Sequence, residues 1–151
     1  MSFARTKVVP TLAVTDLEAA RVFYGGLLEF EEIPTPEGEQ GATMYRVGEG
    51  SFLLVYERPT PSGSTATACA FAVMDVEDSV KRLRKKGVAF EEYDIPELGI
   101  RTRDGIADMG EMKAAWFKDP SGNILAIDDS LSLLEGRGLS RPTGREEGLH
   151  A

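Results

Sequence analysis

The sequence predicts an α+β fold in which a strand–helix–strand–strand–strand unit occurs twice. The first observation is a hairpin signal at residues 114–127, where aromatic and branched residues flank the turn Asp119-Pro120-Ser121-Gly122. Proline favours the first corner of such a turn and glycine its exit. The second observation is a fainter copy, because residues 44–56 can be aligned with 116–128. Two copies of this length fit one compact domain, and chance similarity of two β-α-β patterns is the alternative.

Composition limits the classes of function. A chain of 151 residues with 42% hydrophobic and 28% charged residues is typical of one globular domain. No apolar run is long enough for a membrane span, and the first residues lack the apolar region of a signal peptide. The single Cys69 excludes an internal disulfide and a cysteine-rich zinc site, so we expect a cytoplasmic protein. The net charge of −8 argues against nucleic acid or an anionic membrane as partner.

The first module is predicted at about residues 7–58. A strand from Val8 to Val14 alternates, so that Val9, Thr11 and Ala13 share one face. Thr15 is predicted to cap the following helix, with Glu18 completing a capping box. A strand near 30–33, a polar loop at 34–41 and a hairpin of strands 42–47 and 51–56 complete the module. The apolar stripe of the helix is Leu17, Ala20, Phe23, Tyr24, Leu27 and Leu28.

The second module is predicted at about residues 67–129, after a linker at 59–64 that is rich in proline and glycine. It begins with a strand at 68–73, and Asp75 caps a helix that Gly87 ends. A strand at 88–93 and a long loop at 94–110 are expected before the final hairpin. Residues 131–151 form a C-terminal tail, which we expect to be mobile from 136 onward.

Two sequence words resemble those of one known family. They are Val14-Thr15-Asp16-Leu17-Glu18 with Phe23-Tyr24, and Trp116-Phe117-Lys118-Asp119-Pro120-Ser121-Gly122-Asn123. Over about residues 7–129 the chain resembles the vicinal oxygen chelate superfamily, which includes glyoxalase I, fosfomycin-resistance thiol transferases, extradiol dioxygenases and bleomycin-resistance proteins. The resemblance implies two βαβββ modules that form a glyoxalase-like incomplete barrel around a concave site, often within a symmetric homodimer. It does not identify an activity.

The same resemblance implies where a metal would be bound. Enzymes of the family take ligands from the first and last strands of each module, and by motif these positions are Val9, Leu54, Ala68 and Ala126. No such side chain can donate a lone pair to a metal, and the only histidine is His150 in the tail. We therefore expect no metal and no cofactor. An all-oxygen site from Asp128, Glu57 or Asp94 remains the alternative.

Small side chains on a concave sheet leave room for a ligand. In the fosfomycin-resistance relatives the position of Trp116 faces the substrate, and parity places Met112, Ala114 and Lys118 on its face. Trp116 could instead be a core residue, and Arg46 and Lys118 could be solvated strand-end charges rather than an anion clamp. The candidate ligand-binding residues are Val9, Thr11, Met44, Arg46, Leu54, Ala68, Ala70, Met112, Ala114, Trp116, Lys118 and Ala126.

These features favour a metal-free, glyoxalase-like protein that binds a small aromatic or apolar organic molecule, as bleomycin-resistance proteins do. The alternative is an enzyme of the same superfamily, of lyase, thiol transferase or dioxygenase type, acting on a small carbonyl or aromatic substrate. Without a histidine in the pocket, its general base would have to be Asp94, Glu92 or Lys118. A second alternative is a ligand-free structural or regulatory dimer.

Overall fold

A computed structural model describes residues 2–35 and 40–136. It confirms the α+β class: two mixed sheets face a shared layer of helices, and they form no closed barrel. The strands are β1 (Thr11–Val14), β2 (Glu31–Ile33), β3 (Ala42–Val47), β4 (Ser51–Glu57), β5 (Thr67–Ala72), β6 (Asp94–Ile95), β7 (Ile100–Arg103), β8 (Ile106–Asp108), β9 (Lys113–Lys118) and β10 (Ile124–Asp128). The helices are α1 (Leu17–Ala20, continued as a π-helical turn over Arg21–Leu27), α2 (Val76–Lys85) and α3 (Ser130–Gly136), with short 3-10 turns at Phe3–Arg5 and Pro96–Leu98.

The strand order shows the repeat. The first sheet has the order β1-β4-β3-β2, and the second has β5-β10-β9-β8-β7-β6. In each sheet the first strand lies parallel to the last, and the last forms an antiparallel hairpin with the strand before it. The second sheet therefore reproduces the order of the first and then adds β7 and β6 at its far edge.

The larger of two apolar clusters, the main core, lies between the helices and one face of each sheet. Alternation along β1 buries Leu12 and Val14, which are at most 3% exposed, and leaves Thr11 on the other face. Phe23 and Tyr24 of the helix are buried against this layer, where Phe23 also approaches Phe117 of β9 at a ring distance of 6.2 Å. The opposite faces of the two sheets are thus left for other contacts. No helix among the described residues is long and apolar enough to cross a membrane.

The turn between β9 and β10 links the two halves. Tyr24 donates a hydrogen bond of 2.6 Å to buried Asp119, which also accepts from the backbone N–H groups of Ser121 and Asn123. The amide of Asn123 donates to the carbonyl of Ala13 at 2.8 Å. The turn predicted from Asp119-Pro120-Ser121-Gly122 therefore also holds the first module in place.

The start of the first module differs from the sequence prediction. β1 begins at Thr11, not at Val8, which is 86% exposed. Pro10 has no N–H to donate to a ladder, so regular pairing starts after it. Asp16 caps the helix, because its side chain accepts from the N–H of Ala19 at 3.1 Å. The predicted cap Thr15 is wrong, because it lies one residue before the N-cap, and its N–H donates to the Ser121 hydroxyl.

The middle of the second module also differs. The predicted strand at 88–93 is reduced to a single bridge between Phe90 and Phe117. The predicted loop at 94–110 is wrong, because it contains β6, β7 and β8. Asp104 and Gly105 both have positive φ, 53° and 80°, which is the geometry of a tight type I′ hairpin turn between β7 and β8.

The chain after β10 continues into helix α3, Ser130–Gly136, where the sequence analysis expected a tail. The mobile segment predicted from 136 onward lies almost wholly outside the described residues. The polar loop predicted at 34–41 lies partly outside them.

Candidate ligand-binding face

Two equivalent rows of side chains cross the sheets on the face away from the helices. In the first sheet Thr11 is level with Leu54, and Leu54 is level with Met44. In the second sheet Ala70 is level with Ala126, and Ala126 is level with Trp116. The two rows lie at corresponding positions of the repeat, so the structure brings six of the candidate residues together in two sets of three.

The other two positions at which the resemblance implies metal ligands lie two residues earlier. Val9 precedes β1 and is 40% exposed. Ala68 is the extra residue where the β5–β10 register shifts, because Thr67 pairs with Ile124 and Cys69 pairs with Leu125. Within the described residues no group of three or more histidine, cysteine or acidic side chains could hold a metal ion.

The alternative all-oxygen ligands have other structural roles. Asp128 accepts hydrogen bonds from the N–H and hydroxyl of Ser130. Glu57 accepts from the N–H of Leu17 at 3.3 Å, and Asp94 lies in β6, where its backbone is level with that of Arg101 in β7. The three residues therefore lie on separate elements, and in the described part of the chain they form no metal-binding cluster.

Trp116 forms the centre of a second, smaller apolar cluster. Its side chain is 8% exposed, and its indole N–H donates to Thr67 Oγ1 at 3.2 Å. The ring of Tyr93 meets it edge-on at 5.4 Å. The cluster consists of Ala107, Ala114, Trp116, Ile124 and Ala126, with Tyr93, Ile100 and Met109 packed against it. The indole is thus a largely covered wall of the face, oriented by its hydrogen bond, and not a fully open platform.

Sequence reasoning missed the contribution of the inserted strands to this face. Ile100, Ala107 and Met109 come from the segment 94–110 that was expected to be a loop, and Tyr93 is the last residue before it. The signal that could have identified them is the pair Asp104-Gly105 between alternating residues, which is typical of a two-residue hairpin. The insertion therefore builds the wall beside Trp116.

Both candidate cations are paired with carboxylates. Arg46 lies 3.3 Å from Glu31 and stacks over the ring of Phe52 at 5.3 Å. Lys118 lies 3.6 Å from Glu91. About half of each cationic side chain is exposed, so these are surface ion pairs of small energy, and their charges are partly compensated.

The remaining candidates lie at the margins. Ala114 is buried in the cluster of Trp116, and half-buried Met112 precedes β9 and accepts at its carbonyl from the N–H of Met109. Ala70 lines a cavity of about 240 Å³ at the seam between the two sheets. Residues from both modules line that cavity: Val8, Pro10, Val47, Ser51, Phe52, Leu53, Cys69, Ala70 and Phe71.

Two titratable groups beside the face are held in their neutral forms. Burial raises the pKa of the Tyr93 hydroxyl, and Glu91 adds to this effect. Burial likewise raises the pKa of the Cys69 thiol. A raised pKa makes the thiol a weak nucleophile near neutral pH, while the phenol remains a hydrogen-bond donor. The local chemistry therefore favours binding through apolar contact and neutral polar groups.

Comparisons with known proteins identify the family and the fold. Residues 7–127 match the model of the Glyoxalase/Bleomycin resistance protein/Dioxygenase superfamily. A glyoxalase family protein from Bacillus anthracis shares 20% identity over 85% of this chain and 97% of its own, with a TM-score of 0.65. A glyoxalase/bleomycin resistance protein from Streptomyces sp. CB03234 shares 22% identity over 81% and 98%, with a TM-score of 0.55.

A fosfomycin resistance protein from Listeria monocytogenes, in a complex with Mn(II) and dihydroxypropylphosphonic acid, has 16% identity over 85% of this chain and 91% of its own. Its TM-score is 0.58. At these identities the likeness to the solved structures shows the fold alone, and the ligand of a neighbour is not carried over to this chain. No curated protein matches this sequence closely enough to count as a relative.

Proposed function

Because the chain belongs to the Glyoxalase/Bleomycin resistance protein/Dioxygenase superfamily, we propose that it binds a small aromatic or apolar organic molecule without a metal. The binding surface is the face that carries the rows Thr11–Leu54–Met44 and Ala70–Ala126–Trp116. The observation that carries the proposal is the chemistry of these rows: a threonine hydroxyl is their only oxygen donor, and no side chain is charged. In this proposal the ligand is held by apolar contact with the two rows, and not by coordination to a metal ion.

The geometry supports an aromatic occupant. Trp116 is fixed by its hydrogen bond to Thr67, and its two neighbours in the row, Ala126 and Ala70, have small side chains. A flat ring that covers about 150 Å² of such apolar surface would gain about 4 kcal/mol, before the cost of its own immobilisation. Net affinity is then set by shape and by the few polar groups beside the face.

The proposal also covers the cellular location and the oligomeric state of the protein. We place it in the cytoplasm, in a homodimer, with no nucleic acid or membrane partner. Exposed apolar side chains support an interface, since Phe3 is 88% and Val8 is 86% exposed. Sedimentation equilibrium would give twice the chain mass if this is right and the chain mass if it is wrong.

The experiment for the ligand is a thermal-shift screen of planar aromatic compounds, with and without EDTA. Binding to the native state alone raises the melting temperature by mass action. We expect at least one compound to stabilise the protein equally in both conditions. Stabilisation that EDTA abolishes, or that divalent metal ions produce by themselves, would contradict the proposal.

A pair of matched variants locates the site. Ala70 and Ala89 are both exposed alanines, but only Ala70 lies in the row of Trp116. Ala70→Phe should weaken binding of the ligand found in the screen, because the added ring occupies the face, whereas Ala89→Phe should leave it unchanged. Equal effects of the two substitutions would show that the ligand binds elsewhere.

A further inference from the structure

A second cavity lies on the other side of the second sheet, between helix α2 and the segment Leu28–Phe30. We propose that it binds a monocyclic aryl carboxylate, with the ring buried and the carboxylate at the rim. Its volume is about 250 Å³. It is lined by Leu28, Phe30, Phe71, Val73, Ser79, Arg82, Leu83, Lys86, Phe117 and Ile127; none of these belongs to the two rows of the candidate ligand-binding face, and Phe71 also lines the seam cavity. The site is therefore separate from that of the proposed function.

The floor of the cavity is suited to an aromatic ring. Phe30 and Phe71 form one wall, with ring centres 5.4 Å apart and planes inclined by 47°. Phe117 and Ile127 come from the buried face of the sheet. An apolar cavity of about 150 Å³ is known to hold benzene, so this volume leaves room for one ring and a short side chain.

The rim supplies the positive charge. Arg82 points to solvent with 77% of its side chain exposed, and it uses Nε to bind Asp78 at 2.7 Å. Among the described residues its two terminal nitrogens have no hydrogen-bond partner, so the guanidinium can still accept an anion in its fork. Ser79 adds a hydroxyl at the same rim. These groups favour a carboxylate over a neutral tail.

A strained backbone segment forms the outer wall. Glu29 has φ of 62°, which is rare for a residue with a side chain. It follows a π-helical turn, in which the N–H of Leu28 donates to the carbonyl of Phe23 at 2.9 Å. Lys86 holds the segment from α2, because it pairs with Glu29 and donates to the carbonyl of Leu27 at 3.2 Å. Strain of this kind persists where surrounding contacts enforce it, and it is commoner at ligand sites.

The test is a titration of the full chain with sodium phenylacetate, followed by amide chemical shifts in ¹⁵N-labelled protein. We expect saturable shifts at residues of the cavity, with a dissociation constant below about 10 mM. Arg82→Gln should weaken binding about 2- to 5-fold, which is the range of an exposed ion pair. Lys81→Gln, a charge-matched change on the same helix outside the cavity lining, should have no effect.

Two further variants keep the outcome clear. Leu83→Trp should fill the cavity and abolish the shifts, and Ser79→Leu is the smaller change if the tryptophan variant fails to fold. Ala70→Phe should leave phenylacetate binding intact, which separates this site from that of the proposed function. Absence of saturable shifts, equal weakening by Arg82→Gln and Lys81→Gln, or shifts centred on Trp116 would each overturn the inference.

Discussion

Two buried tyrosines allow the link between the modules to be measured. The side chains of Tyr24 and Tyr45 are both fully buried. Tyr24 donates to the Asp119 carboxylate at 2.6 Å, whereas the Tyr45 hydroxyl has no hydrogen-bond partner among the described residues. Removing each hydroxyl by substitution with phenylalanine changes the volume little, so the two variants differ mainly in the hydrogen bond that is lost.

The expected magnitude follows from that bond. A hydrogen bond to a charged group contributes about 1.5–3 kcal/mol. After Tyr24→Phe, Asp119 keeps the N–H groups of Ser121 and Asn123 and the Asn123 amide as donors, so we expect a loss of about 2 kcal/mol. For a chain of this size that corresponds to a decrease in melting temperature of about 4–8 °C. Tyr45→Phe should cost nothing or stabilise slightly.

The assay is urea unfolding of the wild type and both variants at pH 7, followed by far-UV circular dichroism. The difference between the variants is the quantity of interest, because errors of extrapolation are shared. If Tyr24→Phe unfolds at the wild-type urea concentration, or if Tyr45→Phe is the more destabilising change, the turn at Asp119 does not hold the modules together as described.

Three other measurements test separate parts of the structure. First, burial and Asp119 raise the pKa of Tyr24, and burial raises the pKa of Tyr45 to about 12, so the unfolded chain loses these protons first as the pH rises. The free energy of unfolding should therefore fall above about pH 10, by about 1.4 kcal/mol per pH unit for each tyrosine. Tyr24→Phe should make this decline shallower. A free energy of unfolding that stays constant up to about pH 12 would contradict the prediction. Second, Gly105→Ala should lower the free energy of unfolding in urea by more than about 1 kcal/mol, because the added Cβ would lie 2.8 Å from Arg84 Nη2 and 3.0 Å from Phe90 Cβ. Gly110→Ala is the control, because Gly110 also has a positive φ but no atom lies near its added Cβ, so its cost should be smaller. Third, the half-buried, neutral Cys69 thiol should react with a disulfide reagent more slowly in the native protein than in urea, and equal rates would show that the seam is open.

Much of the fold could be predicted because local signals and the global arrangement agree. The strands of the hairpin around Asp119 and the helix opened by Asp75 follow from turn and capping residues alone. The alignment of residues 44–56 with 116–128 made Met44 equivalent to Trp116 and Leu54 equivalent to Ala126, and in the structure Met44 is level with Leu54 as Trp116 is level with Ala126. Alternation fixed which face each residue occupies.

The errors occurred where tertiary contacts override local preference. Thr15 and Asp16 are both good capping residues, and the contact of Thr15 with Ser121, which is 106 residues away, decides between them. The inserted strands β6 to β8 are only two to four residues long, so their alternation alone is weak evidence, and the turn at Asp104-Gly105 is the one clear local signal for them. Their packing around Trp116 depends on contacts between distant segments, which that turn does not reveal.

The candidate face was the least predictable part. Parity assigned Trp116 to the correct side of β9, but it could not show that Tyr93 and Met109 cover the indole. Nor could charge patterns show that Arg46 and Lys118 are each paired with a glutamate from a neighbouring segment. Exposure and ion pairing depend on elements distant in sequence.

Trp116 is the only tryptophan in the chain, so its fluorescence reports directly on the proposed binding face. The deciding measurement is a fluorescence titration of the metal-stripped protein with a stabilising aromatic compound, and in parallel with manganese, nickel and zinc ions. We predict a saturable change in emission with the compound in EDTA and none with the ions. A stoichiometric response to an ion, or a compound that binds only in its presence, would contradict the central claim of a metal-free apolar face.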